Sequence, residues 1–297
     1  MVERLNDRKK EERLMESLQG LNRDMYRPLK IINKGKTKEI WATNVPGIVI
    51  LRATDDITAG DGAKHDTFES KARYANQTTC NVFDLLKTCN VPLAYIGQYD
   101  ETSFAAEQCD MIPLEVVVRR EAYGSYLKRN PEVGKGTIFF ENPVVEFYLK
   151  TTERKWQGKT IPVDDPFIVF GRNKMLLYRP DQPIERQEPF LALEDYPLCG
   201  WPEAYDRIAR IAIGVFIILE KVWGPHYRMV DYKVEFGINK HEEIVLADVI
   251  DNDSWRVLDE FGEHMDKQIY REGGDLASVA DRYRKVAELT DKFPQLR

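Results

Sequence analysis

The sequence lacks any long uninterrupted hydrophobic run and any cysteine pair at metal-binding spacing. Its longest apolar stretch, residues 208–219, is interrupted by Arg210 and is too short to span a bilayer. The 4 cysteines lie far apart and form no Cys-x-x-Cys pair, so neither a zinc site nor a disulfide framework is predicted. The 4 histidines show no metal-ligand spacing and are expected on the surface or in loops.

The chain also lacks an excess of positive charge. Its 297 residues carry a formal net charge of −6, which argues against general binding to nucleic acid, because such binding requires a basic face. A local basic pocket for a phosphorylated small molecule is compatible with this charge. The first residues run into a charged stretch without the apolar core of a secretory signal, so we expect a cytoplasmic protein.

The order of the predicted elements favours an α+β fold with two lobes and a cleft between them. Residues 151–203 are dense in Pro, Asp, Arg and Gln and are expected to be loop-rich, with one extra hairpin. The clearest elements are a hairpin over residues 29–53, strands through Tyr95, Phe104 and residues 116–118, helices over residues 68–87, 202–222 and 276–293, and a second hairpin over residues 230–237 and 244–250.

Residues 1–25 are rich in Glu, Arg, Lys and Leu, and Leu14, Leu18 and Leu21 recur at helical spacing. This pattern predicts an N-terminal amphipathic helix. Two roles stay open for it, namely an arm that docks on the body of the protein and a helix that mediates homo-oligomerisation.

An early segment holds three lysines at alternate positions, Lys34, Lys36 and Lys38. In a strand, alternate residues share a face, so these lysines would line one side while Gly35 lets a ligand approach the backbone. Lysines on one face repel one another unless an anion lies among them, and a triphosphate is such an anion. The alternative is a solvated edge strand whose lysines prevent edge-to-edge pairing.

A polar loop follows, in which Gly60 and Gly62 flank Asp61. Two glycines around an aspartate allow the backbone to wrap closely around a ligand. The loop is not a phosphate-binding loop of the Walker type, because no Gly-Lys-Ser/Thr follows it. The alternative interpretation is a plain surface turn.

A third motif begins where a run of valines ends at Arg119 and leads into a turn at Gly124 and Ser125. A guanidinium group, a hydroxyl and turn amides together suit a phosphate monoester. The alternative is an exposed basic loop without a ligand.

The second hairpin carries the most informative charges. Along residues 230–237, polar residues such as Lys233 and Glu235 alternate with apolar ones and therefore share one face. Asp248 lies among apolar residues, where an isolated carboxylate is costly to bury. A register that pairs residue 237 with residue 244 places Lys233 opposite Asp248 and points Glu235 the same way. Two converging carboxylates suit magnesium beside phosphates, and the alternative is a structural ion pair between Lys233 and Asp248.

Five segments, in their order along the chain, resemble motifs of the SAICAR synthetase family, whose full name is phosphoribosylaminoimidazole-succinocarboxamide synthase. The last of them is especially similar to the animal-type branch of that family. The segments are residues 35–39, 58–62, 119–129, 231–237 and 246–256.

The resemblance implies an α+β fold of the SAICAR-synthetase type, with a β-rich N-terminal lobe and an α+β C-terminal lobe around an ATP cleft. On this basis residues 1–25 are a helical arm, residues 26–113 the ATP-binding lobe and residues 114–297 the lobe with the magnesium and ribonucleotide sites. In the implied reaction, ATP phosphorylates the carboxylate of carboxyaminoimidazole ribonucleotide (CAIR), and the amine of L-aspartate then displaces phosphate to give SAICAR. ATP and Mg²⁺ are the implied cofactors, with CAIR and L-aspartate as small-molecule partners and neither nucleic acid nor membrane.

The resemblance also implies a role for each matched residue. Lys36 and Lys38 contact the ATP phosphates, Met111 lies at the hinge beside adenine, and Glu235 and Asp248 bind ATP through magnesium. The other implied positions are Arg119, Ser125, Asp253, Arg256 and Lys267 for binding of the ribonucleotide, and Asp61 and Lys233 close to the reacting groups, where Asp61 is a candidate base for the aspartate amine.

Two other functions are compatible with these motifs. A small-molecule kinase of related fold shares the lysines and the acidic pair. It needs neither a binding site for a second phosphate group nor L-aspartate as a substrate. A non-catalytic nucleotide-binding scaffold is disfavoured by the intact set of Lys36, Glu235 and Asp248. Residues 167–200 look like an insertion relative to the family, which leaves the contacts to L-aspartate open.

Overall fold

The computed structural model describes residues 25–59, 64–195 and 203–295 of the chain. The amphipathic helix predicted for residues 1–25 therefore lies outside the described residues, apart from Met25. In the part of the chain that the structure describes, no helix has the length and apolar character needed to cross a membrane.

The described residues form five α-helices and 18 strands. The helices are α1 Lys71–Thr88, α2 Ser125–Arg129, α3 Glu203–Trp223, α4 Gln268–Arg271 and α5 Leu276–Thr290. The strands are β1 Pro28–Lys34, β2 Lys38–Thr43, β3 Ile48–Ala53, β4 Asp56–Ala59, β5 Lys64–Thr67, β6 Tyr95–Asp100, β7 Ser103–Glu107, β8 Asp110–Met111, β9 Leu114–Arg119, β10 Val144–Leu149, β11 Lys155–Trp156, β12 Lys159–Thr160, β13 Phe167–Phe170, β14 Lys174–Tyr178, β15 Leu191–Glu194, β16 Tyr227–Ile238, β17 Ile244–Ala247 and β18 Trp255–Asp259.

The three long helices are those that apolar periodicity predicts, with ends shifted by no more than three residues. The chain divides into two compact units that are not contiguous halves. The helix α5 belongs to unit 1, whereas the lobe boundary expected at residue 113 assigns it to the second lobe. Unit 1 takes the described residues up to Thr88, residues 93–109 and those from Tyr270 onward, and unit 2 takes Cys89–Pro92 and the described part of Asp110–Ile269.

Unit 1 is built on an antiparallel sheet in the order β1-β2-β3-β7-β6. The helix α1 packs on this sheet through apolar residues such as Phe83, whose ring lies 5.3 Å from that of Tyr95. The helix α5 packs against α1, and Tyr283 meets the ring of Phe68 at 5.4 Å. Both helices are amphipathic, so each needs an apolar surface to cover its buried stripe, and this pairing supplies it.

The hairpin expected over residues 29–53 is in fact three antiparallel strands, β1 to β3. Gly35 causes the difference, because its N–H donates a hydrogen bond to the carbonyl of Lys38 at 2.9 Å and so closes a turn between β1 and β2. The expectation that Lys34, Lys36 and Lys38 share one strand face was therefore wrong, since Lys36 lies in the turn.

Unit 2 is built on a larger sheet in which β16 is the central element. Its first half pairs with β9 on one side and β18 on the other, and its second half pairs with β17 and β8. One face is apolar, with Val230, Tyr232, Val234 and Phe236 no more than 2% exposed. This face packs on α3, where the Tyr232 hydroxyl donates to the carbonyl of Ala212 at 2.6 Å. The alternation predicted for this strand is thereby confirmed.

The stretch expected to be loop-rich with one extra hairpin contains more structure than predicted. The strands β11 and β12 form a separate short hairpin. The strands β13, β14 and β15 continue the large sheet beyond β10. Their apolar residues, such as Ile168 and Leu177, are buried there. In the sequence alone, short apolar runs of this kind do not distinguish a strand from a segment of a buried helix.

The register of the β16–β17 hairpin differs by one residue from the expected one. Gly237 pairs with Val245, not with Ile244. Asn239 accounts for this register, because its side-chain oxygen accepts hydrogen bonds from two backbone amides of the turn, both at 3.0 Å. The turn is thereby closed as a longer loop than the sequence pattern indicates.

We expect Asn239→Ala to lower the free energy of unfolding by about 1–3 kcal/mol, because two turn amides lose their acceptor. The control is Lys240→Ala at an exposed position of the same turn, for which a change within about 0.5 kcal/mol is expected. Equilibrium unfolding in urea measures both. Equal effects of the two substitutions would contradict a special role of Asn239 in the turn.

Candidate functional site

In unit 1, the predicted lysines lie at one end of the β1–β2 pair. Lys36 is exposed in the turn, and Lys38 begins β2 and is partly buried. Lys34 is paired with Glu39 at 3.3 Å on the neighbouring strand. The turn thus presents Lys36 and Lys38 together, while a carboxylate holds Lys34.

The hairpin of β4 and β5 flanks residues 60–63. The predicted Asp61 lies in that segment, outside the described residues. On the hairpin itself, Asp56 accepts a hydrogen bond from Thr54 at 2.6 Å and contacts His65 at 2.7 Å. The bond from Thr54, with a smaller contribution from His65, lowers the pKa of Asp56, so this carboxylate is ionised at neutral pH.

In unit 2, three charged residues form one row across adjacent strands. Asp231 on β16 pairs with Arg119 on β9 and, on its other side, with Arg256 on β18. One carboxylate oxygen of Asp231 accepts hydrogen bonds from both arginines, and the bond from Arg256 is 2.6 Å long. Asp231 and Arg119 are only 3% exposed. The row is therefore a buried ion triad with Arg256 at its more open end.

A second carboxylate supports the same arginine from the other side. Glu146 on β10 accepts from Arg119 Nε at 2.6 Å and forms an ion pair with buried Arg129. The hydroxyl of Tyr148 donates to Glu146 at 3.0 Å and lies 3.1 Å from the hydroxyl of Ser125. Arg119 Nη2 in turn donates to Ser125 at 3.2 Å. The predicted pair of Arg119 and Ser125 is thus brought together by a closed hydrogen-bond network.

The electrostatics of this network favour charged arginine. Burial alone lowers the pKa of Arg119, but the carboxylates of Asp231 and Glu146 outweigh burial and raise it above its usual value. The guanidinium group therefore stays protonated although it is removed from water. A buried cation with two carboxylate partners is costly to disrupt, because loss of one partner leaves a buried charge uncompensated.

Lys233 and Glu235 share the polar face of β16. Each forms an ion pair with a residue from another segment of the chain. Lys233 donates to Glu115 at 2.5 Å, and Lys150 forms an ion pair with Glu235. The expected position of Lys233 opposite Asp248 was wrong, because the register of the hairpin differs by one residue. The partner of Lys233 comes from β9 instead.

Lys233 remains a cation in this setting. Burial lowers its pKa, but Glu115 and Glu235 have the larger combined effect and raise it. A protonated lysine cannot accept a proton, so its contribution is to neutralise negative charge and to donate hydrogen bonds.

Of the two predicted metal ligands, Glu235 lies on β16 and Asp248 directly follows the end of β17. Glu235 is 6% exposed and pairs with Ala247, the residue before Asp248. Asp248 has a positive φ of 62°, which turns the chain out of the strand. Among the described residues, no group of three or more His, Cys, Asp or Glu is arranged to hold a metal ion. The two carboxylates fit magnesium, which commonly takes one or two carboxylates and completes its octahedron with phosphate oxygens and water.

Asp165 belongs to the same charged region of unit 2. Its carboxylate accepts a hydrogen bond from the backbone N–H of Thr151 at 2.9 Å. Burial, followed by the negative charge of Glu115, raises its pKa to about 6, and Thr151 and Lys233 only partly oppose this shift. Asp165 thus titrates closer to neutral pH than an ordinary aspartate.

The predicted residues Asp253 and Lys267 form an ion pair of 3.0 Å. Lys267 is 7% exposed, and its N–H donates to the carbonyl of Asn252 at 3.2 Å. Asn252 also donates from its side chain to Met265 at 3.0 Å. These bonds hold the segment before α4 against the loop that precedes β18, the strand that carries Arg256.

Met111 lies on β8 beside the second half of β16. It pairs with Gly237, and its side chain is 47% exposed. The next residue, Ile112, is buried and donates from its N–H to Phe236 at 2.9 Å. An exposed apolar side chain on a fixed backbone is compatible with the predicted contact to a flat aromatic ring.

Several partners in unit 2 escaped the analysis of the sequence. Glu146 and Tyr148 alternate along β10, which was a detectable signal for a shared polar face. Glu115 stands immediately before the valine run of β9, and Lys150 and Asp165 follow or precede short strands. The charge partners of Glu115 and Lys150 lie far along the chain, so local spacing does not reveal them.

By its fold, the chain is a mixed helix-and-sheet protein of two units, each built on an antiparallel sheet. A family model described as SAICAR synthetase matches residues 31–162 and 181–290, which is most of the chain. The chain therefore belongs to the SAICAR synthetase family. The segment between the matched blocks partly coincides with the insertion expected at residues 167–200.

Individual relatives agree with this assignment. The chain is 34% identical over 274 residues to phosphoribosylaminoimidazole-succinocarboxamide synthase of Chloroflexus aurantiacus, covering 89% of this chain and 96% of the relative. It is 40% identical over 248 residues to the multifunctional protein ADE2 of Gallus gallus, covering 82% of this chain. It spans about half of that relative's length, 52%.

A solved structure supports the fold. A SAICAR synthetase (type-2) in complex with ADP superposes with a TM-score of 0.69 at 28% identity, covering 88% of this chain and 97% of the other. The predicted α+β fold of the SAICAR-synthetase type is confirmed.

The raised pKa of Asp165 predicts a pH-dependent effect on stability. An acid with a higher pKa in the folded than in the unfolded chain destabilises the fold when ionised. This penalty is absent well below pH 3.8 and complete above about pH 6. Asp165→Asn should therefore gain about 1 kcal/mol over the wild type between about pH 4.5 and pH 7.5, after allowance for partial exposure.

Urea unfolding of both proteins at the two pH values measures this gain. The control is Glu153→Gln, which removes an exposed carboxylate of the same unit, and the gain of Asp165→Asn between the two pH values is expected to exceed that of the control. A difference between Asp165→Asn and wild type that does not change with pH would show that the Asp165 carboxylate titrates at its ordinary pKa.

Proposed function

We propose that the chain catalyses the ATP-dependent ligation of L-aspartate to CAIR, which gives SAICAR, ADP and phosphate. The observation that carries this proposal is the match to the SAICAR synthetase family, which spans both units and includes a relative at 34% identity over 96% of its length. We place the reaction in the cytoplasm, and homo-oligomerisation stays a prediction.

The chemistry explains the need for ATP. A carboxylate is a poor electrophile, because its resonance and its charge both oppose attack by a nucleophile. Transfer of the γ-phosphoryl group to a carboxylate oxygen of CAIR gives an acyl phosphate and ADP. The neutral amine of L-aspartate then attacks the acyl carbon, phosphate leaves with the electrons of the C–O bond, and the nitrogen loses a proton.

The buried row of unit 2 supports binding of the ribonucleotide. Arg119, Ser125 and Arg256 are proposed to bind its phosphate, since planar guanidinium groups and a hydroxyl match phosphate oxygens. Asp253 and Lys267 are proposed to lie at the same substrate. The existing ion pairs hold these side chains in place before a ligand arrives, which reduces the entropy lost on binding.

Lys36 and Lys38 are proposed to bind the phosphates of ATP, with Met111 against adenine. The complex of a related SAICAR synthetase with ADP supports nucleotide binding. Glu235 and Asp248 are proposed to hold Mg²⁺, which when bound offsets negative charge on the phosphates. In the protein itself, Glu235 forms an ion pair with Lys150.

Lys233 and Asp61 are proposed to lie close to the reacting groups. As a cation, Lys233 can stabilise negative charge that develops on the acyl group. Asp61 is proposed to remove the proton of the aspartate amine, which must be neutral before it attacks.

We expect Asp61→Asn to lower kcat by about 100-fold or more, because general-base catalysis contributes at least this factor. The affinity for ATP should change far less. Steady-state kinetics measure kcat, and nucleotide-binding titrations measure the affinity for ATP. The control is Glu69→Gln, which changes an exposed carboxylate in unit 1. Equal losses of turnover and of ATP affinity would rule out the proposed base.

The first test of the reaction is ADP release from purified protein with ATP, magnesium and CAIR, with and without L-aspartate. We expect release that depends on L-aspartate, together with a succinocarboxamide product detected by mass spectrometry. Release that ignores L-aspartate would identify a kinase or an ATPase instead. Nucleotide binding without any release would favour a non-catalytic binding protein.

A further inference from the structure

Asp231 occupies an unusual position for a carboxylate beside a proposed phosphate site. It stands between two arginines, as the direct cross-strand neighbour of Arg119 on β9 and of Arg256 on β18. A carboxylate repels phosphate, so a residue at this position weakens phosphate binding if its charge acts alone. Its effect on the arginines must therefore outweigh this repulsion if the site is to bind a phosphate monoester.

The contacts of Asp231 show how it acts on both arginines. A single oxygen, Oδ2, accepts from Nη1 of Arg119 and from Nη1 of Arg256, the latter at 2.6 Å. Neighbouring strands lie about 4.8 Å apart, so guanidinium groups on β9 and β18 are separated by one intervening strand. The shared oxygen draws the two cations toward each other across that strand.

The two arginines are not held equally. Arg119 is fixed on its other side by Glu146 and Ser125. The side chain of Arg256 is 20% exposed, and Asp231 is its ion-pair partner. The backbone at Gly124 also lies close, since a Cβ there would be 2.9 Å from Arg256 Nη2. Asp231 therefore contributes more to the orientation of Arg256 than to that of Arg119. Gly124 leaves room for the guanidinium group of Arg256.

We propose that Asp231 is a positioning residue that holds Arg119 and Arg256 as a preformed pair of guanidinium groups for the phosphate monoester of the ribonucleotide. The proposal rests on the proposed function for the identity of the ligand. It extends that function by giving Asp231, which acts through Arg119 and Arg256, a defined effect on affinity.

The test is Asp231→Asn, which keeps the shape of the side chain and removes its charge. We expect the KM for CAIR to rise by about 10- to 100-fold, because misplaced binding groups cost this much, while kcat and the KM for ATP change by less than about threefold. If the charge of Asp231 only opposes phosphate, the substitution lowers the KM for CAIR, and that outcome would overturn the proposal. A general structural defect would lower kcat and alter the KM for ATP as well.

Because Asp231 is buried, a second variant keeps the test informative if Asp231→Asn does not fold. Arg256→Lys retains the positive charge at a partly exposed position but lacks the planar fork. We expect it to raise the KM for CAIR to a similar degree. An unchanged KM would mean that charge alone suffices, and the proposal would fail.

The matched control is Glu220→Gln. Glu220 is the carboxylate partner of Arg120, bound through two hydrogen bonds of 2.7 and 2.9 Å, one residue away from Arg119. The substitution Glu220→Gln removes an arginine–carboxylate ion pair outside the row of Arg119, Asp231 and Arg256. It is expected to leave the KM for CAIR unchanged. A rise equal to that of Asp231→Asn would show that any lost arginine partner has this effect, against the proposal.

A direct binding experiment separates this proposal from the proposed function. Calorimetric titration with ribose 5-phosphate measures binding of a phosphate monoester without any catalysis. We expect binding by the wild type and a loss of about 10-fold or more in Asp231→Asn. This result supports the positioning role even if no ligase activity is found. Ligase activity with equal ribose 5-phosphate affinity in both proteins would refute the positioning role and leave the proposed function intact.

Discussion

Adjacent residues of strand β16 face opposite sides of the sheet, where one side requires apolar contacts and the other requires partners for buried charges. The arrangement of unit 2 depends on both requirements. Its apolar side chains are buried against α3, and each such side chain contributes about 1.5–3 kcal/mol relative to exposure. Because side chains alternate, the residues between them must face the other side of the sheet, where Asp231 and Glu235 are also nearly buried. The carboxylates are tolerated there only because neighbouring strands and strand ends supply cations.

These cations come from distant parts of the chain and all meet β16 or its neighbours. Arg119, Arg256 and Lys150 lie on three other segments, and Glu146 joins Arg119 to Arg129. Such buried pairs stabilise a fold weakly, because desolvation offsets most of the Coulomb attraction. Their stronger effect is on precision, since the guanidinium groups of Arg119 and Arg129 are each fixed by two or more partners. A site fixed in this way loses little entropy when it receives a ligand.

Local patterns were good predictors where the physics is local. Helical periodicity located α1, α3 and α5, and the alternation along residues 230–237 located β16 with its two faces. The same reasoning failed for Lys36, because one backbone hydrogen bond at Gly35 replaced a strand by a turn. It also failed for the register of β16 and β17, where the side chain of Asn239 closes a longer turn. A shift of one residue changes every cross-strand neighbour, so the expected proximity of Lys233 and Asp248 was lost.

The sequence by itself determined the three long helices, the polar and apolar faces of β16, and the motifs that mark the SAICAR synthetase family. Those features depend on residues close together in the chain, through alternation, helical periodicity and short motifs. Only the tertiary structure decided that Asp231 lies between Arg119 and Arg256, that Glu115 is the partner of Lys233, and that α5 belongs to unit 1. The reason is that strand order and register bring together residues from 25 to more than a hundred positions apart. The burial of the apolar faces, not the charged residues themselves, selects that order.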